Sequence, residues 1–174
     1  MQFSLLHSLE VLERTPHVLT RLLYDISSDW YSTNEGAGTW APYDVIGHLI
    51  FGEQTDWIPR IELILSDHPE KRFVSFDRFA QFENSKGKTL AHLLQEFETL
   101  RTANLQRLRA LNITDNDFNK TGFHPTFGEV TLSHLLSTWV VHDLDHIAQV
   151  SRVMAKQYKE QVGPWIEFLK ILKQ

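Results

Sequence analysis

The chain has 174 residues, with 17 Lys+Arg against 22 Asp+Glu for a net charge of -5, nine His and no Cys. That length suits one domain with a real core, and 42% hydrophobic with 22% charged residues excludes a disordered or collagen-like chain. The lack of cysteine excludes disulfides, thiolate metal sites, iron–sulfur clusters and cysteine nucleophiles, and the acidic balance gives no general electrostatic reason to bind nucleic acid. The opening MQFSLLHSLEVLERT has no basic start and carries Glu10 and Glu13, so it does not read as a signal peptide. No stretch reaches the ~20 uncharged apolar residues of a membrane span. The expectation is a cytoplasmic protein that binds neither membrane nor nucleic acid.

The apolar residues recur with the period of a helix, and the two-residue alternation of strands is nearly absent. Leu5, Leu6, Leu9 and Leu12 form a first short stripe. Thr15-Pro16 then reads as an N-cap followed by proline at the first helical position, opening a helix through Leu19, Leu22, Leu23 and Ile26 to about Ser27. Residues 27–40 read as a loop, and Pro42 opens a second helix to about Ser66 that Pro59 is expected to kink. Residues 67–88 form the longest irregular stretch; Thr89 then caps a third helix with a stripe at Leu90, Leu93, Leu94, Phe97, Leu100, Leu108 and Leu111. A loop at 112–130 precedes a fourth helix, capped by Thr131 and running from Leu132 to about Tyr158. Gly163-Pro164 leads into a short tail helix at 165–172. The expected fold is all-α, an antiparallel four-helix bundle with a short C-terminal helix, in a single domain over residues 1–174.

At about 100° per residue, Leu132, Leu135, Leu136, Trp139, Ile147, Val150 and Met154 share one face of the fourth helix. His146 lies inside that face and His142 on its edge, while His134 points to solvent. Two histidines at i, i+4 stand about 5–6 Å apart at Cβ, close enough to share a metal, although a hydrogen-bonded core histidine has the same spacing. On the second helix His48, Gly52, Thr55 and Pro59 share a face, so small residues leave space beside His48. That space suits a third ligand facing a cavity, or close helix packing. Three neutral imidazoles are the donor set of an open catalytic metal site.

WAPYDVIGHLIFGEQTDW (40–57) and GFHPTFGEVTLSHLLSTWVVHDLDHIAQVSRVMAKQY (122–158) together strongly resemble the DinB-like, or DinB/YfiT, superfamily, with FDRFAQFENSKGKTL (76–90) and VGPW (162–165) in support. The resemblance spans nearly the whole chain and combines a lone histidine on the second helix with H-x-x-x-H-x-x-Q on the fourth. It implies a four-helix bundle, commonly a homodimer, holding a divalent metal through His48, His142 and His146. The metal is zinc, nickel or iron, its identity left open. Relatives include S-transferases that use low-molecular-weight thiols, a thiol-dependent isomerase and a proposed metal-dependent hydrolase. The leading expectation is a metal-dependent thiol S-transferase acting on a small-molecule electrophile, the thiol coming from outside a chain that has none. The alternatives are a metal-dependent hydrolase and a non-catalytic, stress-associated metal-binding bundle.

Asp143 sits in the apolar stripe, where a carboxylate is costly unless bonded. It is the candidate catalytic residue, orienting a ligand imidazole or accepting a proton; the other reading is a buried bond to a neighbouring helix. Gln149 belongs to the motif or is a polar edge residue, and Glu53 reads as a salt-bridge residue of the bundle. Phe73, Phe76, Phe79 and Phe82 plug one end of the bundle or form a lid, Arg78 is a candidate for an anionic substrate, and His124 for an approach to the site.

Overall fold

In the computed structural model, which describes residues 2–173, the first helix runs unbroken as α1 (Leu5–Leu23), with the Ser4 side chain accepting from the His7 N–H. The new start expected at Thr15-Pro16 does not occur. Proline removes the N–H that would bond the Leu12 carbonyl. That carbonyl accepts instead from Arg101 Nη1 of another helix at 2.8 Å, and Thr15 Oγ1 donates to the Val11 carbonyl.

A short α2 (Ser28–Ser32) lies within the expected loop. The second long helix is two pieces, α3 (Pro42–Thr55) and α4 (Trp57–Leu65), separated at Asp56. Pro59 cannot donate to the Thr55 carbonyl, so the helix ends where that bond is missing, one turn before the proline itself. The 67–88 stretch contains α5 (Ala80–Asn84), and α6 (Leu90–Ala110) and α7 (Leu132–Lys156) start at their threonine caps as expected. Within 112–130 the chain forms an antiparallel hairpin, β1 (Thr121–His124) with β2 (Gly128–Thr131). Four-residue strands are too short to announce themselves by alternation. Gly122 is required here: a Cβ would stand 2.6 Å from Phe73 Cε1. The tail forms two 3-10 turns, Gly163–Phe168 and Lys170–Lys173, in place of one α-helix, a stretch too short to hold helical structure without packing. No helix among the described residues is long and apolar enough to cross a membrane.

The four long helical segments make the bundle, with α1 and α3 each packed between α6 and α7. Its core divides into two apolar clusters. One gathers Leu12, Trp57, Ile61, Leu105 and Trp139; the other gathers Leu19, Val45, Leu49, Phe97 and Val150. On every helix the division falls at the same level, and a polar layer centred on Arg101 fills it. The Arg101 side chain is 1% exposed and all five of its N–H groups are used. Nε and Nη2 donate to Glu53 Oε1 on α3 at 3.0 and 2.9 Å, and Nη1 and Nη2 reach the two Asp143 oxygens on α7 at 2.6 and 3.0 Å. The fifth N–H goes to Leu12 on α1. Glu53 also accepts from Trp139 Nε1 and Asn104 Nδ2. Burial raises the Glu53 carboxyl above its ordinary value despite Arg101. Burial alone would lower the Arg101 guanidinium, but the two carboxylates hold it above its ordinary value.

Removing one partner from a buried charge network leaves the others uncompensated, a loss of ~3–5 kcal/mol. Arg101→Ala should lower the urea-unfolding stability by about that much, and Arg101→Lys, which keeps the charge but only three N–H groups, should recover only part of it. A loss below ~1 kcal/mol for Arg101→Ala would show that the layer does not hold the bundle together.

Candidate metal centre

Beside the polar layer, three imidazoles from two helices converge. His48 on α3 and His142 and His146 on α7 bring their Nε2 atoms together, with His142 Nε2 at 3.1 Å from both His48 Nε2 and His146 Nε2. All three lie within 4.8 Å of one another, and among the described residues no carboxylate joins them. The pairing of His142 with His146 follows from their one-turn spacing; His48 arrives through the α3–α7 packing.

The ring chemistry fits a cation. Gln149 Oε1 lies 2.8 Å from His146 Nδ1, and since a carbonyl oxygen only accepts, the proton sits on Nδ1 and Nε2 carries a lone pair. Burial lowers His48 to about 3 and His142 to about 2, with neighbouring histidines adding to both, and it lowers His146 as well. All three rings are therefore neutral near pH 7, the state that binds metal. The Nε2 atoms, 3.1 Å apart, are close enough to share one cation. Tetrahedral coordination at a metal–nitrogen distance of 2.0–2.1 Å would set the donor atoms about 3.3 Å apart, close to what is seen.

Aromatic rings hold the imidazoles in place. Trp40 stacks on His146 at 6.4 Å between ring centroids and lies 4.9 Å from His48, while Phe76 meets His48 edge-on at 5.3 Å. Trp57 meets His142 edge-on at 5.2 Å and stacks on Trp139 at 5.5 Å. The space expected beside His48 at Gly52 is taken up by this indole: a Cβ there would stand 3.2 Å from Trp57 Nε1. Nδ1 of His48 and of His142 is buried with no partner among the described residues.

Two cavities flank the cluster. His48 and His142 open onto an aromatic one of about 250 Å³, together with Gly52, Trp57, Phe76 and His124. His146 and Gln149 open onto a more polar one of about 530 Å³, with Glu35, Arg78, Asp145 and Arg152.

The expected residues distribute as follows. His48, His142 and His146 are brought together. Asp143 is not brought to them: both its oxygens are on Arg101, and it bonds no imidazole. The helix turns its side chain away from the ring next to it, so its place is the buried bond to a neighbouring helix, not proton transfer at the cluster. Glu53 is the bundle salt bridge expected of it. Gln149 proves to be the orienting partner of His146. Of the four phenylalanines, Phe73 enters the core and Phe76 touches His48, whereas Phe79 and Phe82 are exposed. Arg78 lies over Trp40, and the exposed His134 edges the aromatic cavity. Trp40, Asp56 and Trp57 fall inside the 40–57 motif but carry no spacing signal that gives them a role, and Arg60 lies outside it.

Comparison with known proteins places the family and the fold. The sequence profile of the DinB superfamily matches residues 11–150. A protein of Bacillus cereus (strain G9842) named "Putative metal-dependent hydrolase" is 24% identical over 144 residues, covering 82% of this chain and 81% of its own. A protein of Bacillus anthracis (strain A0248) with the same name matches to the same extent. The solved structure described as "YfiT from Bacillus subtilis is a probable metal-dependent hydrolase with an unusual four-helix bundle topology" shares the fold. Its TM-score is 0.74 at 24% identity, over 93% of this chain and 91% of that one.

A histidine held neutral in the fold but free to protonate when unfolded favours unfolding in acid. In chelator, stability should be full above the unfolded value near 6.5 and fall as pH drops towards 3, by about 1.4 kcal/mol per pH unit for each buried ring. Urea midpoints between pH 4 and 8 should show a shallower slope in His142→Gln than in the wild type. Equal slopes would mean that His142 is not held neutral by burial.

Proposed function

Because the chain belongs to the DinB superfamily and brings three neutral histidines to one point beside a cavity, we propose that it is a metal-dependent enzyme with His48, His142 and His146 as the ligands. The convergence of the three Nε2 atoms carries this reading. A divalent ion held by three neutral imidazoles keeps a coordination position for water or substrate and supplies Lewis-acid activation of a nucleophile at neutral pH. The chain's own residues do the rest. Gln149 fixes the tautomer and plane of His146, Trp40 and Phe76 fix His48, and Trp57 fixes His142. The aromatic cavity receives a small molecule against the His48 and His142 edges and keeps bulk water from it. With water as nucleophile the reaction is hydrolysis, the activity that the names of the Bacillus relatives suggest.

The polar cavity beyond His146 favours a second reading, transfer of an external low-molecular-weight thiol to a small electrophile. A thiol with polar substituents finds Gln149, Asp145 and Arg152 there, and the chain has no cysteine to serve in its place.

The test loads the protein with zinc, nickel or iron in turn and assays ester, amide and electrophile panels with and without small thiols. Hydrolysis without thiol is the expected result, and turnover only with thiol establishes the second reading. Stoichiometric metal with no turnover on either panel overturns both in favour of a non-catalytic metal-binding bundle. His48→Ala, His142→Ala and His146→Ala should each lose metal and turnover together. Gln149→Ala should weaken metal binding by about 10–100-fold, the usual effect of removing a ligand's orienting partner.

A further inference from the structure

A second buried ion pair lies in the wall of the aromatic cavity. Asp56, in the break between α3 and α4, and Arg60, one turn on, are 8% and 9% exposed, with Arg60 Nη2 2.6 Å from Asp56 Oδ1. Nη2 also donates to the Val74 carbonyl at 3.2 Å, and Phe73 backs the guanidinium with its ring centroid 5.0 Å from Cζ. Nε and Nη1 have no hydrogen-bond partner among the described residues. The contrast with Arg101 is direct. Both guanidiniums are buried, but Arg101 directs all five N–H groups at protein acceptors and Arg60 leaves three over. Neither Nε nor Nη1 is closed off from solvent, so these N–H groups, on a residue of the cavity wall, are free to meet a ligand.

Burial pushes the Asp56 carboxyl up to about 6 against the pull of Arg60, and burial lowers the Arg60 guanidinium despite Asp56. Desolvation outweighs the attraction on both sides, and buried pairs of this kind often add little to stability. The pair's position points to a ligand. The same cavity exposes His48 and His142, and the rest of its wall is largely apolar, with Trp57, Phe76 and Phe127. At about 250 Å³ it is smaller than the ~300–1,000 Å³ of pockets for drug-sized ligands.

We propose that Arg60 is the specificity residue of this cavity, its unpartnered N–H groups taking the carboxylate of a small, otherwise apolar substrate whose body lies against the aromatic wall beside His48 and His142. Asp56 positions the guanidinium and, as the negative charge already beside it, limits how tightly the carboxylate is held. As a statement about substrate this rests on the enzymatic reading above; as a statement about binding it does not.

Benzoate and its neutral isostere benzamide are the probes, titrated by calorimetry into metal-free and zinc-loaded full-length protein. Benzoate should bind both forms about tenfold or more tighter than benzamide, the range of a charge-assisted hydrogen bond. Arg60→Gln should erase the difference, as should Asp56→Asn combined with Arg60→Gln, which leaves no buried charge behind. Asp56→Asn alone should tighten benzoate by removing the competing carboxylate, whereas a purely structural ion pair would leave binding unchanged or weaker. The proposal is overturned by equal binding of the two probes to the wild type, or by a preference that survives Arg60→Gln. It is overturned equally by a preference seen only with zinc, which places the carboxylate on the metal. If Arg60→Gln melts before it can be titrated, the Asp56→Asn result decides. Because the readout is binding, failure of the hydrolysis assay leaves this result standing, and the reverse holds as well.

Discussion

One guanidinium sets the register of the whole bundle. Arg101 projects from α6 into the centre, where it meets a carboxylate of α3, a carboxylate of α7 and a backbone carbonyl of α1. Apolar side chains would tolerate small slips between helices, since dispersion and burial have little direction. Five N–H groups with fixed directions tolerate none. The arrangement also repairs a local defect, because the α1 carbonyl it satisfies is the one that Pro16 leaves without a partner. A proline that would otherwise break the first helix is tolerated through Arg101, 89 positions on from the Leu12 carbonyl it satisfies.

The histidine cluster inherits that register. His48 stands on the helix that carries Glu53, and His142 immediately precedes Asp143 on α7. Fixing both carboxylates on Arg101 therefore fixes how far α3 and α7 can slide or turn relative to each other, and so where the Nε2 atoms meet. The Trp57–Trp139 stack extends the connection, since Trp139 donates to Glu53 while Trp57 rests against His142. Asp143 thus serves the cluster from behind, through the backbone and the bundle, and not by touching an imidazole. The two buried arginines divide the labour: the saturated one builds the scaffold, and the unsaturated one faces the cavity.

Much of this was legible in the sequence where the cause is local. Thr89 and Thr131 announce their helices because an N-cap is a short-range hydrogen bond, and the His142–His146 pair follows from helical spacing alone. His48 could be placed on a face with Gly52, but its meeting with the pair needed the motif or the fold. What the sequence left out depends on distant partners. Asp143 was conspicuous as a carboxylate in an apolar stripe, and Arg101 and Asn104 interrupt the stripe of α6 between Phe97 and Leu108, yet nothing in the spacing joins them. The uninterrupted α1 was missed for the same reason. The hairpin at 121–131 is too short to show a period, and Arg60 looks like any other helical arginine until its burial and its unpartnered nitrogens are seen.

The central claim is that three imidazoles hold one ion. X-ray absorption on the zinc-loaded protein measures this directly, because imidazole rings leave a characteristic outer-shell scattering pattern. The expected spectrum has three imidazole nitrogens at about 2.0–2.1 Å with one or two further light-atom donors, and it loses an imidazole in His48→Ala. Zinc bound with one imidazole or none, or a spectrum unchanged by His48→Ala, would contradict the assignment.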